Sequence, residues 1–475
     1  MIVLEELVPQ INDLLWSYIL IFTLISLGLW FTIRTRLIQF RMVGEMIRLL
    51  GGKADTQVDG KGVSSFQAFC ISLASRVGTG NLAGVALAIS LGGPGAVFWM
   101  WLIALLGAAS GFVESTLAQI YKVRDGETYR GGPAYYMEKA LGKRWMGILF
   151  SILITLCFGL VFNAVQANTI TLAFEPLGMD RSILGVVLVV AMALIIFGGV
   201  KRIARTAQLI VPVMAVLYIL LALYVLAKNI TQIPDVLGLI FSSAFGLKAV
   251  AGGGLGAAVM EGIKRGLFSN EAGMGSAPNA AATAEVSHPV KQGLIQTLGV
   301  FTDTLLICSC TAFMILFSGQ YTTGEADGIQ LTQSALGAEI GAWAGIFVAV
   351  AVFLFAFSSL VGNYYYGETN IEFIQADNKG WLTAYRLAVL GMVMFGSVAK
   401  IQIVWDLADL FMGSMALLNL IAIALLGPIA FAALKDYLRQ KKEGKDPVFH
   451  ISHIPGLKNV ECWGAEESGQ KTKQA

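Results

Sequence analysis

The sequence predicts an all-α polytopic membrane protein of about eleven transmembrane helices, ten of them forming a 5+5 inverted repeat behind an extra N-terminal helix. Three observations predict it. The 475 residues are 56% hydrophobic and 13% charged, whereas soluble domains carry about 25% charged residues. Apolar runs long enough to cross a bilayer, about 20 residues each, recur along nearly the whole chain. Two of these runs are interrupted by the same glycine pattern, Gly78-Thr79-Gly80-Asn81 and Gly273-Met274-Gly275-Ser276.

The runs fall at about 14–33, 66–91, 94–121, 145–173, 183–200, 206–228, 256–287, 292–318, 342–368, 382–399 and 403–434. Glu5 and Glu6 replace the basic segment of a signal peptide, so the first run reads as a retained span. The apolar stretch 234–252 is short and leads into Gly252-Gly253-Gly254, which suggests an interfacial or re-entrant helix. Basic residues gather between alternate runs: Arg34, Arg36, Arg41, Arg48, Lys53 and Lys61, then Lys122 to Arg144, then Lys201, Arg202 and Arg205, then the tail. The other side receives Arg181, Lys228, Lys248 and Lys400, with Glu325, Asp327 and Glu339 in the 319–340 loop. Placing the basic side in the cytoplasm puts the N-terminus outside and the C-terminus inside the plasma membrane.

The chain therefore divides into 1–65 (extra helix and cytoplasmic loop), 66–228 (first repeat), 229–255 (outer loop), 256–434 (second repeat) and 435–475 (cytoplasmic tail). Five spans per half is an odd number, so the halves run oppositely through the membrane. Net charge is +2, and nothing in it suggests nucleic acid; no obligate protein partner is evident beyond the lipid bilayer. Cys70, Cys157, Cys308, Cys310 and Cys462 fit no metal or disulfide spacing.

Unwound backbone is tolerated at membrane depth where protein covers it or a cavity opens onto it, and two matched breaks point to a secondary transporter's central site. At the first break, a half-helix starting near Asn81 offers N–H groups, and Gly78 and Gly80 let an anion approach the backbone around Thr79. At the second, Ser269, Asn270 and Ser276 with nearby carbonyls suit an ammonium group. An amino-acid zwitterion satisfies both; the alternative is that Gly-x-Gly only lets helices pack closely. Phe162, Asn163, Gln166 and Asn168 interrupt another run, either lining a pocket or bonding between helices. Ser358 and Ser359 either ligate a hard cation or bond back to their own helix. Intramembrane charges are costly and usually functional: Arg76 and Glu271 flank the breaks and form a possible brace. Arg265 with Asp406 or Asp409 forms a possible outer gate, while Glu114, Glu261, Lys264, Glu285 and Asp303 have no assigned partner.

Gly92-Gly93-Pro94-Gly95-Ala96-Val97-Phe98-Trp99-Met100-Trp101-Leu102-Ile103-Ala104-Leu105-Leu106-Gly107 resembles the signature of the alanine or glycine:cation symporter family. Phe268-Ser269-Asn270-Glu271-Ala272-Gly273-Met274-Gly275-Ser276-Ala277-Pro278 and Gly131-Gly132-Pro133-Ala134-Tyr135-Tyr136 are also similar to it, and the similarity runs over about residues 10–440. That family is similar in architecture to the bacterial leucine transporter, which implies discontinuous core helices 1 and 6. The resemblance also implies a sodium site formed by the carbonyls of Ala74, Val77 and Phe355 and the hydroxyls of Ser358 and Ser359. Asn81 matches a residue serving a second sodium site there, with Asp303 as a substitute ligand.

The expected function is sodium-coupled import of small neutral amino acids, alanine or glycine, with Na+ as coupling ion and no organic cofactor. Substrate is expected against Gly78, Thr79, Gly80, Asn81, Phe162, Gln166, Phe268, Ser269, Asn270, Gly273, Met274 and Ser276. A proton-coupled or a glutamine-preferring symporter is the nearest alternative. An enzyme would need a nucleophile–base or metal cluster at membrane depth, and a channel would usually repeat its pore by oligomerisation; neither pattern is present in the sequence.

Overall fold

Helix dominates because lipid offers the backbone no hydrogen-bond partners. The structure is a computed structural model describing residues 2–51, 63–126, 128–198, 200–246, 254–324, 326, 328–375 and 378–464. Lys53, Lys61, Lys248, Gly252, Gly253, Glu325 and Asp327 lie outside the described residues, as do the side chains of Lys201, Arg202 and Arg205. Among the described residues seven helices are long and apolar enough to cross a membrane: Leu7–Arg34, Ala96–Ile120, Arg144–Leu177, Pro289–Ser318, Trp343–Ile374, Lys379–Val398 and Ile401–Lys442. An eighth span results if Pro212–Lys228 and Ile230–Ala244, bent by 76°, count as one. The apolar stretch after residue 233 is thus a bent helix on the end of its neighbour. The last helix, at 42 residues, is about 63 Å long and overshoots a hydrocarbon core of about 30 Å.

The two interrupted runs are each two pieces. The first is Ser65–Arg76 followed by Gly80–Gly92. The second is Leu255–Asn270 followed by Ala277–Thr283. Ser64 starts the first with a capping box, its side chain accepting from the Gln67 N–H and its own N–H donating to Gln67 Oε1. Val63 pairs with Ala284, Ser75 contacts Glu271, and Asn81 contacts Ser269. Residue numbers rise on one element as they fall on the other, so the broken helices run antiparallel, with break beside break.

Small residues set the packing distances, as expected where apolar burial gives no preference for helix over lipid. A Cβ at Gly266 would stand 3.3 Å from Met100 Cα, and one at Gly362 would stand 3.0 Å from the Ser75 nitrogen. Large apolar side chains such as Phe22, Leu194 and Leu425 remain 64–74% exposed on the outer surface. The helix Ala96–Ile120 occupies the middle of the bundle and places Glu114 beside the second break.

The described part of the polar tail, to residue 464, is not detached. Phe449 N–H donates to Ser287 O, Trp463 Nε1 to Gln119 O and Asn459 Nδ2 to Lys139 O; Lys291 pairs with Asp446 at 3.0 Å. It straps the basic end of the bundle.

Candidate functional site

At the first break the helix stops at Arg76, and Val77 turns to φ −80°, ψ 88°. The expected N–H groups are present but capped: Gly78 N–H donates to Asn81 Oδ1 at 2.9 Å, and Thr79 N–H donates to Gln166 Oε1 at 3.1 Å. Both acceptors are neutral amides. Gly78 is glycine because a Cβ would overlap Ser359 Oγ and stand 2.9 Å from Gln166 Oε1. At Gly80 a Cβ would lie 3.0 Å from the Phe268 ring and 3.1 Å from Ser269 Cα. Neither glycine has positive φ; each permits close approach.

The second break is built differently. Gly273 and Gly275 have φ of +84° and +89°, and Glu271 before them is left-handed at +56°. The Gly273 and Gly275 N–H groups donate to the two oxygens of Glu114, at 3.0 and 3.1 Å. Asn419 Nδ2 adds 2.8 Å to the same carboxylate, and Tyr136 OH donates to Asn419 Oδ1. A resident carboxyl group thus fills this nest. The side-chain oxygens expected to face an ammonium are engaged within the protein. Ser269 Oγ donates to Asp303 at 2.7 Å, Ser276 Oγ donates to Glu271 at 2.5 Å, and Asn270 Oδ1 accepts from Ala272 N–H at 3.0 Å. Met274 is fully buried.

Asp303 joins the breaks. It accepts from Asn81 Nδ2 at 2.7 Å, from Ser269 and from Thr304 at 2.8 Å, with Cys308 Sγ 3.2 Å from Asn81 Nδ2. Arg76 is 2% exposed and donates only Nη1, to Gln296 O at 3.1 Å; Nε and Nη2 have no partner. No ion pair closes between Arg76 and Glu271, so the expected brace is absent. Glu271 is held by Ser75 Oγ at 2.7 Å and by Ser276.

The five oxygens of the expected sodium site lie together. Ser359 Oγ is 2.8 Å from Ala74 O, 3.4 Å from Val77 O and 3.1 Å from Phe355 O. Ser358 Oγ donates to Phe355 O at 2.8 Å, one turn back in its own helix, and otherwise faces Met214. Both serines therefore bond back to their own helix, and Ser359 also reaches across to the broken helix. Asn168 bonds between helices, donating to Gly396 O and Ala399 O, and Asn163 donates to Gly159 O in its own helix. Of the four polar or aromatic residues read from that run, Gln166 and Phe162 reach the site.

An aromatic layer covers one side. Phe162 packs on Phe268 with ring centroids 4.5 Å apart, and Phe268 packs on Trp405 at 4.8 Å. Arg265 stands 4.7 Å over Trp405 and pairs with Asp409 at 2.7 Å and Glu261 at 3.3 Å. Asp409, not Asp406, is the partner; Asp406 accepts from Gln402. Sequence reasoning missed Trp405, Cys308 and the role of Glu114, whose partners lie far away in the chain.

A model of the sodium:alanine symporter family matches residues 1–451. The chain is 61% identical to the amino-acid carrier protein AlsT of Bacillus subtilis, over 96% of this chain and 97% of that one. It is 59% identical to the probable sodium/glutamine symporter GlnT of the same organism, over 99% and 98%. Among solved structures, MhsT in complex with L-phenylalanine is 15% identical with a TM-score of 0.52, over 78% of this chain and 97% of that one. This likeness carries the fold alone, the leucine-transporter-like architecture. From its two broken helices to its full-length match, the chain belongs to the sodium:alanine symporter family, a family of transporters and not of enzymes.

Proposed function

We propose that this protein is a sodium-coupled symporter importing a small neutral amino acid, alanine or glycine first, by alternating access. One observation carries the reading: two N–H groups held only by neutral amides lie beside a cluster of five hard oxygens. A substrate carboxylate is a stronger acceptor than an amide. It displaces Asn81 Oδ1 and Gln166 Oε1 from the Gly78 and Thr79 N–H groups, with Gly80 leaving room for the approach. Phe162, Phe268 and Ser269 border the same space, and Asn270, Gly273, Met274 and Ser276 form the wall behind it. Sodium enters as cargo among Ala74 O, Val77 O, Phe355 O, Ser358 Oγ and Ser359 Oγ, replacing the Ser359 proton as the positive group facing those carbonyls. The ion then ties the broken helix to the helix Trp343–Ile374, and substrate spans the breaks. Each sodium moved down about 100 mV supplies about 2.3 kcal/mol, enough for roughly 40-fold accumulation.

Eleven spans in a five-plus-five inverted repeat, divided at 65, 228, 255 and 434, accompany this reading. The antiparallel broken helices support the repeat. Basic side chains at one end, including Arg34, Lys122, Lys139 and Lys291, support a plasma-membrane protein with its N-terminus outside. A second reading, glutamine as substrate, is favoured by the name of the 59% identical relative. Uptake of radiolabelled alanine, glycine and glutamine into proteoliposomes, with and without a sodium gradient, tests both. Sodium-independent uptake, or uptake of none of the three, contradicts the proposal.

A further inference from the structure

A cavity of about 1360 Å³ opens at the basic end of the bundle, between the first helix and the last. Its apolar floor includes Phe431, Leu434 and Leu438. Three carboxylates line it, and all three are committed. Glu45 accepts from Arg48 at 2.7 Å, Tyr437 at 2.6 Å and Lys441 at 3.2 Å. Burial works against its charge, yet these bonds hold its carboxyl down to about 2. Asp436 accepts from Arg439 and Gln440 and faces His453 at 3.0 Å. Glu443 pairs with Lys445 at 2.7 Å.

Five other cations line the cavity: Arg34, Arg36, Arg41, Lys435 and Lys442. Among the described residues none of the five pairs with a carboxylate; Arg34 stacks over Phe431 at 5.2 Å, and Arg41 donates to Thr35 O. Two consecutive non-glycine residues, Arg36 and Leu37, are left-handed at φ of 56° and 57°. That turn reverses the chain after the first helix and returns Arg41 to the same cavity as Arg34. A general excess of cytoplasmic lysine and arginine accounts for their sign. It does not account for five uncommitted cations around one apolar-floored hollow. Beside the cavity, Ile33, Leu37 and Phe40 are 70%, 53% and 50% exposed, and Trp30, Phe31 and Phe431 form an aromatic cluster.

We propose that this cavity binds the phosphodiester headgroup of an anionic phospholipid, whose acyl chains lie along Ile33, Leu37 and Phe40 and which bridges the first and last helices. Basic pockets between helices at the membrane face suit such headgroups, each nearby cation adding attraction. The chemistry shared with free inorganic phosphate is the anionic oxygens; the exposed apolar rim favours the lipid.

The test uses the full-length protein in detergent, titrated with phosphatidylglycerol, phosphatidylcholine or inorganic phosphate, with binding read by native mass spectrometry. Phosphatidylglycerol is expected to bind selectively over phosphatidylcholine. The Arg34→Gln, Arg36→Gln, Lys435→Gln triple variant is expected to bind it about 100-fold more weakly, the scale of three near-surface charges. A control triple at the same end, Lys143→Gln, Lys379→Gln, Lys458→Gln, is expected to retain it. Equal loss in both triples, or competition by inorganic phosphate at equal concentration, overturns the lipid site. A photoactivatable phosphatidylglycerol on the wild-type protein gives an answer independent of variant folding: cross-links confined to 33–42 and 431–442 support the site, and cross-links elsewhere overturn it.

Discussion

At the first break the glycines have ordinary backbone angles and exist for closeness, and the N–H groups of Gly78 and Thr79 rest on neutral amides of Asn81 and Gln166. At the second, both glycines have φ above +80°, and their N–H groups grip the Glu114 carboxylate. A neutral amide exchanges readily for an anionic guest, whereas a buried carboxylate with three donors does not leave without stranding them. The difference teaches that matched sequence breaks need not have matched roles. In the proposed function the first exchanges its partner for substrate, and the second is a fixed wall beside it.

The contrast predicts different failures. The largest belongs to the second break: Glu114→Ala strands two backbone N–H groups and an Asn419 donor, at a cost of about 1–3 kcal/mol for each. Thermal unfolding in detergent should show a large fall in Tm together with lost transport. A normal Tm would break the distinction. Gly78→Ala is next, with opposite symptoms: its Cβ meets Ser359 and Gln166, so uptake should fall about 100-fold, as misplacement at a binding centre does. The protein should still reach the membrane with a Tm close to wild type.

Smaller effects sharpen the picture of the first break. Ser359 touches three carbonyls and Ser358 one. Ser359→Ala should raise the sodium concentration for half-maximal uptake about tenfold, and Ser358→Ala should raise it less. Apparent substrate affinity should recover at saturating sodium, because coupling between two ligands is reciprocal. Equal sodium curves for wild type and both variants would remove the pair from the ion site. Smallest is Met274→Ala, which should move preference toward larger neutral amino acids by about 1 kcal/mol. Competition assays read it, and an unchanged ranking with both Met274→Ala and Gln166→Ala would place the side-chain pocket elsewhere.

Much of this site is legible in sequence because glycine in an apolar run is conspicuous, and because apolar runs of bilayer length mark helices. Gly78 and Gly80 are found this way, Gln166 as a polar residue inside an apolar run, and Ser359 as such a residue favoured by family resemblance. The partners of buried charges are harder to read. Glu114 is one of several intramembrane acidic residues, and its donors lie about 160 and 305 residues on. Asp406 and Asp409 sit one turn apart, so pattern alone cannot choose between them; the fold turns Asp409 toward Arg265. Asn163 and Asn168 differ only in which face their helix presents. The docked tail escapes notice because Phe449, Ile454 and Trp463, its buried apolar contacts, follow no helical or strand period.

Hydrogen–deuterium exchange on the purified protein tests the central claim most directly, comparing peptides over 73–84 and 270–280 with and without sodium plus alanine, glycine or glutamine. Sodium with a transported amino acid is expected to change protection at the Gly78–Thr79 amides and to leave Gly273 and Gly275, already held by Glu114, unchanged. Ligand-dependent change confined to 270–280, with 73–84 unaffected, would contradict that claim.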